Sequence, residues 1–342
     1  MSDWLQLFYR GADNGVWTRS RNPDDGSWSD ETGLGGVLNG DPVAATPVVA
    51  VSPLGWMGQL PDASKLSQLT LPGTHESCTA FLTPIASCQN WSLREQLDHG
   101  IRYVDIRCRH VSDGTNDIFA IHHDEVYTGL NFGGDVRDVC VNWLTANPTE
   151  CIVMQIKHEY VDDPNNVYTF QEVLDGYVQG FESFFYRDNR IPTLGEVRGK
   201  IVVVQRFEVD SPGTVEGLWP DPWRDNATFD ADYKASDGEA VTFYIQDVYN
   251  VPTVFDINTK WNAVAALLGQ ANADASDAWY INFASASRDI SFIFPDAVAA
   301  VINPQLYGYL AGAPFNARLG TLMMDFPDAN MIGSIISLNT NK

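Results

Sequence analysis

A repeated alternation constrains this chain more than any other feature. From Ser67 onward, short β-branched apolar runs recur at residues 68–71, 101–106, 119–122, 151–156, 201–205, 241–246, 279–283 and 321–324. Between several of them lie segments of helical periodicity, at 93–99, 136–146, 167–178 and 260–273. Asn166 is a fitting N-cap for the third of these, and Asn147-Pro148 ends the second. Eight strands alternating with helices over about 270 residues predict an α/β chain folded as a (β/α)8 TIM-type barrel. An open doubly wound sheet would carry a glycine-rich phosphate loop after its first strand. The glycine cluster here, Gly33-Leu34-Gly35-Gly36, lies upstream of the alternation. A P-loop, an H-E-x-x-H helix and a G-x-S-x-G elbow are all absent from the sequence.

The first sixty or so residues have a different character. Leu5-Gln6-Leu7-Phe8-Tyr9-Arg10 starts a strand-like alternation, Asp13-Asn14-Gly15 signals a turn, and Asp25-Gly26 signals another ahead of Trp28. The pattern predicts a small N-terminal antiparallel β meander. The Pro- and Ala-Val-rich run 42–53 reads as a linker, so the expected domains are 1–60 and 61–342.

Charge and cysteine content narrow the function classes. Acidic residues outnumber basic ones 44 to 21, for a net charge of −23, which argues against nucleic acid and against long-range attraction to an anionic membrane. No run approaches the ~20 apolar residues of a membrane span, and the start Met1-Ser2-Asp3-Trp4 has no basic and apolar leader pattern. The expectation is a cytoplasmic or peripheral protein, with a secreted form left open. Five cysteines, none in C-x-x-C spacing, argue against zinc and dithiol redox sites. They are expected as buried free thiols, although Cys78 and Cys88 bracket a loop that an oxidising compartment could close.

In a barrel the C-terminal strand ends converge on one face, where active sites are built. The first strand ends at Leu71-Pro72-Gly73-Thr74-His75-Glu76-Ser77, where Pro and Gly turn the chain and present His75 and Glu76. The second gives Asp105 and Arg107 on one face, and the third ends at His122-His123. Lys157, Arg206, Asp247 with Tyr249, and Asp325 end four more. Two histidines can act as general base and general acid, each needing a carboxylate to fix its tautomer, for which Asp325 and Glu76 are the candidates. A guanidinium such as Arg107 matches two phosphoryl oxygens. Asp105, Lys157, Arg206, Asp247 and Tyr249 are the expected substrate-binding groups for a polyol. The set suggests cleavage of a sugar-alcohol phosphodiester, with no carboxylate cluster that demands a metal and no cofactor expected. Neighbouring strand residues point to opposite faces, so periodicity alone leaves His122 and His123 open.

These motifs resemble a known family. The Leu71–Ser77 stretch, Gly100-Ile101-Arg102-Tyr103-Val104-Asp105-Ile106-Arg107 and Ile121-His122-His123 follow in the order and spacing of the phosphatidylinositol-specific phospholipase C X-domain family. The runs 148–157 and 194–206 continue the match, which covers about residues 60 to 340. The resemblance implies an irregularly closed barrel that cleaves phosphatidylinositol, or its glycosylated form, to diacylglycerol and inositol 1,2-cyclic phosphate. It implies His75 as general base, Asp325 as the carboxylate that orients it, and His123, of the adjacent pair, as general acid. Arg107 stands where bacterial-type enzymes carry an arginine in place of calcium, and Lys157, Arg206, Asp247 and Tyr249 match inositol contacts. One departure stands out. Bacterial-type members have Asp directly after the first histidine, as partner of the acid, and this chain has Glu76.

The expected partner is thus a phosphatidylinositol-type lipid at a membrane or micelle surface, with Trp219, Trp223 and Phe229 as candidate interfacial aromatics. The N-terminal segment resembles one blade of a propeller-type lectin, which implies glycan contact. The competing readings are a glycan- or lipid-binding module with an inactive barrel, and a metal-dependent phosphodiesterase of the same barrel class.

Overall fold

The computed structural model describes residues 5–10, 15–21, 32–37, 52–211, 216–287 and 294–340. Strands β1 (Leu5–Arg10), β2 (Gly15–Arg21) and β3 (Thr32–Val37) pair antiparallel in that order, as the turn signals predict. The Asp25-Gly26 turn, Trp28 and residues 42–51 of the linker lie outside the described residues. The chain divides into two units, Met1–Ser52 and Pro53–Lys342. The boundary therefore falls ahead of residue 60. Trp56 and Met57 are buried inside the second unit, where Trp56 Nε1 donates to Gly100 O at 3.0 Å.

The second unit is built on β4 (Leu71–Thr74), β5 (Tyr103–Ser112), β6 (Asp117–His123), β7 (Val126–Asn131), β8 (Ile152–His158), β9 (Phe185–Tyr186) and β10 (Ile201–Arg206). It continues through β11 (Thr228–Lys234), β12 (Ala240–Gln246), β13 (Trp279–Phe283) and β14 (Thr321–Met324). The sheet runs β11-β12-β13-β14-β4-β5-β8-β10-β9, with parallel pairing throughout except at β11. Among the described residues, its two ends are not joined by a hydrogen-bonded ladder. A parallel bridge between Val204 and Leu218 lies on that side. This is the barrel that the alternation predicts, with the irregular closure that the family resemblance implies.

Seven of the eight predicted barrel strands are present in parallel. The run 119–122 is different: it belongs to β6, which pairs antiparallel with β5 and forms a hairpin with β7. The eighth parallel strand is instead the two-residue β9. The first strand also starts later than predicted, because Leu66–Gln68 is a 3-10 turn. Gly73 explains why β4 reads as a turn in the sequence yet packs as a strand. A Cβ there would lie 2.7 Å from Met323 Sδ and 3.1 Å from Tyr103 Cβ, so only glycine lets β14 and β5 close on β4.

Helices α1 (Leu93–Asp98), α2 (Asp138–Ala146), α3 (Phe170–Val178), α4 (Leu194–Val197), α5 (Ile257–Ala273), α6 (Pro295–Gly312) and α7 (Ala329–Ser337) are linked to the strands. Local chemistry sets their starts. Ser92 with Glu95, and Thr169 with Glu172, form reciprocal capping boxes. The cap of α3 is thus Thr169 and not Asn166, because the Thr-x-x-Glu spacing satisfies two backbone donors at once. The five cysteines are buried as free thiols. Among the described residues, no helix is long and apolar enough to cross a membrane.

Candidate active site

The C-terminal ends of the barrel strands enclose a cavity of about 250 Å³. Nine of the residues singled out in the sequence line it: His75, Glu76, Arg107, His123, Lys157, Arg206, Asp247, Tyr249 and Asp325. Asp105 does not. It is fully buried, and its carboxylate accepts from Arg107 Nε at 3.2 Å, Glu76 N at 3.2 Å and Gln155 Nε2 at 3.0 Å. Asp105 therefore holds the site from behind and does not face the cavity.

His75 is fixed from both directions. Its backbone N–H donates to Met324 O at 3.0 Å, and its carbonyl accepts from Gln89 Nε2 at 2.6 Å. Its Nδ1 lies 2.9 Å from Asp325 Oδ1. A carboxylate at Nδ1 places the imidazole proton there and leaves the Nε2 lone pair free. Asp325 is nearly fully buried, and burial holds its carboxyl above the ordinary range even though His75 pulls it down.

Glu76 resolves the departure noted above. Its backbone adopts φ of 43°, a left-handed conformation uncommon for a non-glycine residue. Thr79 stabilises this turn, donating from both its N–H and its hydroxyl to the Glu76 carbonyl. The side chain then reaches two cations. Oε2 accepts from His123 Nδ1, and Oε1 lies 2.6 Å from Arg107 Nη1 and 3.7 Å from His75 Nε2. Burial alone would raise the Glu76 carboxyl, but Arg107 and His123 hold it well below the ordinary range. His123 shows the reciprocal effect. Burial lowers it, and the charge and hydrogen bond of Glu76 more than offset this, so it lies above the ordinary imidazole value.

The β6–β7 hairpin decides between the adjacent histidines. His123 faces the cavity, whereas His122 is buried, with Nδ1 3.2 Å from Asp124 O and its ring against Tyr127. The polyol end has a frame that the sequence did not show. Lys157 Nζ donates to Glu159 at 2.5 Å, and the Tyr249 hydroxyl donates to Asp225 at 2.9 Å. Arg206 Nη2 bonds Asp247 at 3.2 Å while its guanidinium lies 3.9 Å over the Trp223 ring, and Trp223 Nε1 donates to the same Asp247 at 2.9 Å. Trp223 is thus half-buried behind the cavity residues Arg206 and Asp247, and Phe229 is buried, with the edge of the Trp223 ring against it. Glu159, Asp225, Ser285 and Ser287 also line the cavity and were missed. Glu159 carried a signal, since it follows Lys157 at strand spacing.

The arrangement brings two imidazoles, each paired with a carboxylate, to one cavity with a guanidinium between carboxylates and a polar pocket. Such a set is chemically suited to proton transfer at a phosphate ester of a polyol.

Comparison with known proteins agrees with this reading. Residues 74–207 match the family model described as phosphatidylinositol-specific phospholipase C, X domain. The chain is 32% identical over 302 residues to a 1-phosphatidylinositol phosphodiesterase of Staphylococcus aureus (strain Newman), covering 82% of this chain and 91% of that one. It is 30% identical over 295 residues to the 1-phosphatidylinositol phosphodiesterase of Listeria monocytogenes serovar 1/2a, covering 83% and 84%. A crystal structure of the Staphylococcus aureus phosphatidylinositol-specific phospholipase C superposes with a TM-score of 0.74 at 30% identity, over 85% of this chain and 99% of that chain.

Proposed function

The chain belongs to the phosphatidylinositol-specific phospholipase C X-domain family and cleaves phosphatidylinositol, and we propose that it does so by general acid–base catalysis between His75 and His123. The observation that carries this mechanism is that each histidine has its own carboxylate across one cavity, with Arg107 lining the same cavity.

His75 Nε2 takes the proton of the inositol 2-hydroxyl, and that oxygen attacks phosphorus. The bond from phosphorus to the diacylglycerol oxygen breaks as His123 gives that oxygen its proton. The products are diacylglycerol and inositol 1,2-cyclic phosphate. Glu76 keeps His123 protonated for this step, and Arg107 balances the charge that builds on the phosphoryl oxygens. Lys157, Arg206, Asp247 and Tyr249 bind the inositol hydroxyls. Asp105 acts through Arg107 and Glu76, so Asp105→Asn lowers kcat and leaves KM near its original value. The cavity carboxylates Glu76 and Glu159 are committed to cations, Arg107 and Lys157, which supports a reaction without calcium.

Access to lipid from a membrane or micelle surface is supported by Phe81 and Phe255, 77% and 83% exposed, which follow β4 and β12 at the cavity end of the barrel.

Phosphorus NMR of the purified protein acting on phosphatidylinositol tests the reading through the cyclic phosphate. His75→Ala and His123→Ala each lower turnover by about 10² to 10⁴ with the fold intact. Near-normal turnover in either variant would sink the mechanism. Chelators leave turnover unchanged, whereas a strict calcium requirement would show that Arg107 has been misread. Assaying the glycosylated lipid beside the plain one measures headgroup preference.

A further inference from the structure

Cys88 has no part in the chemistry above, yet its thiol sits against both histidine–carboxylate pairs. It is fully buried, and its backbone is pinned on both sides, N–H to the Thr79 hydroxyl at 3.1 Å and carbonyl to Phe326 N at 3.0 Å. Its Sγ lies 4.0 Å from Glu76 Oε2. Ligand atoms of His75, Cys88 and Asp325 all fall within 4.8 Å of one another, as do those of Glu76, Cys88 and His123.

A second observation separates these two groups. Glu76 uses both carboxylate oxygens on cations. Asp325 uses Oδ1 on His75, and among the described residues its buried Oδ2 has no hydrogen-bond partner. A buried acceptor left unpaired is costly, and a cation would satisfy it. Together His75, Cys88 and Asp325 offer an imidazole nitrogen, a thiol sulfur and a carboxylate oxygen. This mixture suits Zn²⁺ or Cd²⁺ and is a poor match for Ca²⁺ or Mg²⁺, which favour all-oxygen sets.

We propose that His75, Cys88 and Asp325 form an inhibitory site for a divalent cation of the Zn²⁺ class. The ion enters through the catalytic cavity, which His75 and Asp325 both line. It takes the lone pair of His75 Nδ1, and the proton that Nδ1 held moves to Nε2. Cys88 binds as thiolate, releasing its proton to solvent. With Nε2 protonated and neutral, His75 accepts nothing from the inositol hydroxyl, so turnover stops until the ion is removed. The inhibitory consequence rests on His75 being the general base, but the binding site itself does not.

The experiment titrates the full-length protein with ZnCl₂ and CdCl₂, comparing the original chain with Cys88→Ala and Cys88→Ser. Zn²⁺ inhibits phosphatidylinositol cleavage and a chelator restores it. In both variants metal-free turnover is retained, and the inhibition constant for Zn²⁺ rises tenfold or more. Cd²⁺ gives the original chain an ultraviolet thiolate-to-metal charge-transfer band that the variants lack. This band reports the site independently of catalysis, so it separates failure of the metal site from failure of the catalytic reading. Equal Zn²⁺ inhibition of original and variant proteins, absence of the Cd²⁺ band, or equal inhibition by Ca²⁺ would each overturn the proposal.

Discussion

Two arginines mark the two ends of the barrel, and they are held in opposite ways. Arg102 stands where the chain enters β5, at the foot. It is completely buried, its Nε and Nη2 bond Glu150 at 3.0 and 2.8 Å, and its remaining donors go to the carbonyls of Pro53, Leu54, Leu97 and Ile101. Its guanidinium also lies 4.4 Å over the Trp143 ring. Arg107 stands near the mouth. Carboxylates surround it, Glu76 at 2.6 Å, Asp105 at 3.2 Å and Glu159 at 3.7 Å, and it opens on the cavity. The foot arginine spends its donors on neutral carbonyls and one buried anion, which locks a structure. The mouth arginine is oriented by anions on one side and lines the cavity on the other, where the proposed mechanism puts the phosphate. Conserving charge while changing the partners turns a plug into a tool.

Replacing each arginine with methionine separates the two roles, and these are the largest effects expected. Arg107→Met lowers kcat/KM by about 10² to 10³, the range for losing a preorganised donor to a developing anion. Arg102→Met leaves Glu150 buried without its cation and destabilises the fold by roughly 3–5 kcal/mol, with turnover per folded molecule unchanged. Denaturant melts beside kinetics check both. If Arg107→Met lost stability as severely as Arg102→Met while its folded fraction kept full activity, the contrast between foot and mouth would collapse.

The next effect lies in the pH profile. Glu76 raises His123 above its ordinary value, and a general acid must be protonated, so activity falls as pH rises through the His123 pKa. Glu76→Gln removes the charge that raises it. The basic limb of kcat/KM then moves to lower pH. Glu76→Asp tests reach: if the longer side chain is what joins His123 to Arg107, the shorter one recovers only part of that shift. An unmoved basic limb in Glu76→Gln would mean that another group sets it.

How much of this was readable depends on which physical rule each feature obeys. Apolar runs with a charged end located seven barrel strands and nine cavity residues, because a strand buried on both faces reads as a continuous apolar run and ends where water begins. The same rule misplaced β6, since a hairpin strand packed on the core has the same apolar content as a barrel strand. Nothing in a two-residue strand such as β9 can rise above background. Helix α6 went unread because Pro304 lies inside it, and an interior proline signals a break that packing here overrides. Asp225, Ser285 and Ser287 lie in loops, beyond the periodic segments, where spacing carries no facing information. Trp223 sits in a Pro-rich loop, where spacing could not show that Arg206 lies over its ring and Asp247 accepts its N–H.

The smallest expected effect concerns exposed phenylalanines, and it sharpens the comparison of the two ends. Phe255 follows β12 at the mouth, and Phe315 lies between α6 and β14 at the foot, 83% and 70% exposed. Both leave a large apolar side chain in water, so exposure alone assigns neither a role. If the mouth meets the lipid surface, only Phe255 gains by leaving water. Burial of a phenylalanine side chain is worth about 1.5–3 kcal/mol when complete. Partial insertion should therefore make Phe255→Ser bind phosphatidylinositol vesicles several-fold to about tenfold more weakly. Cleavage of a short-chain, monomeric substrate should stay the same, because Phe255 does not line the cavity. Phe315→Ser should change neither measurement. Vesicle sedimentation of the two variants side by side distinguishes a lipid-facing mouth from a uniformly sticky surface, since equal losses in both would leave the two ends of the barrel alike in their contact with lipid.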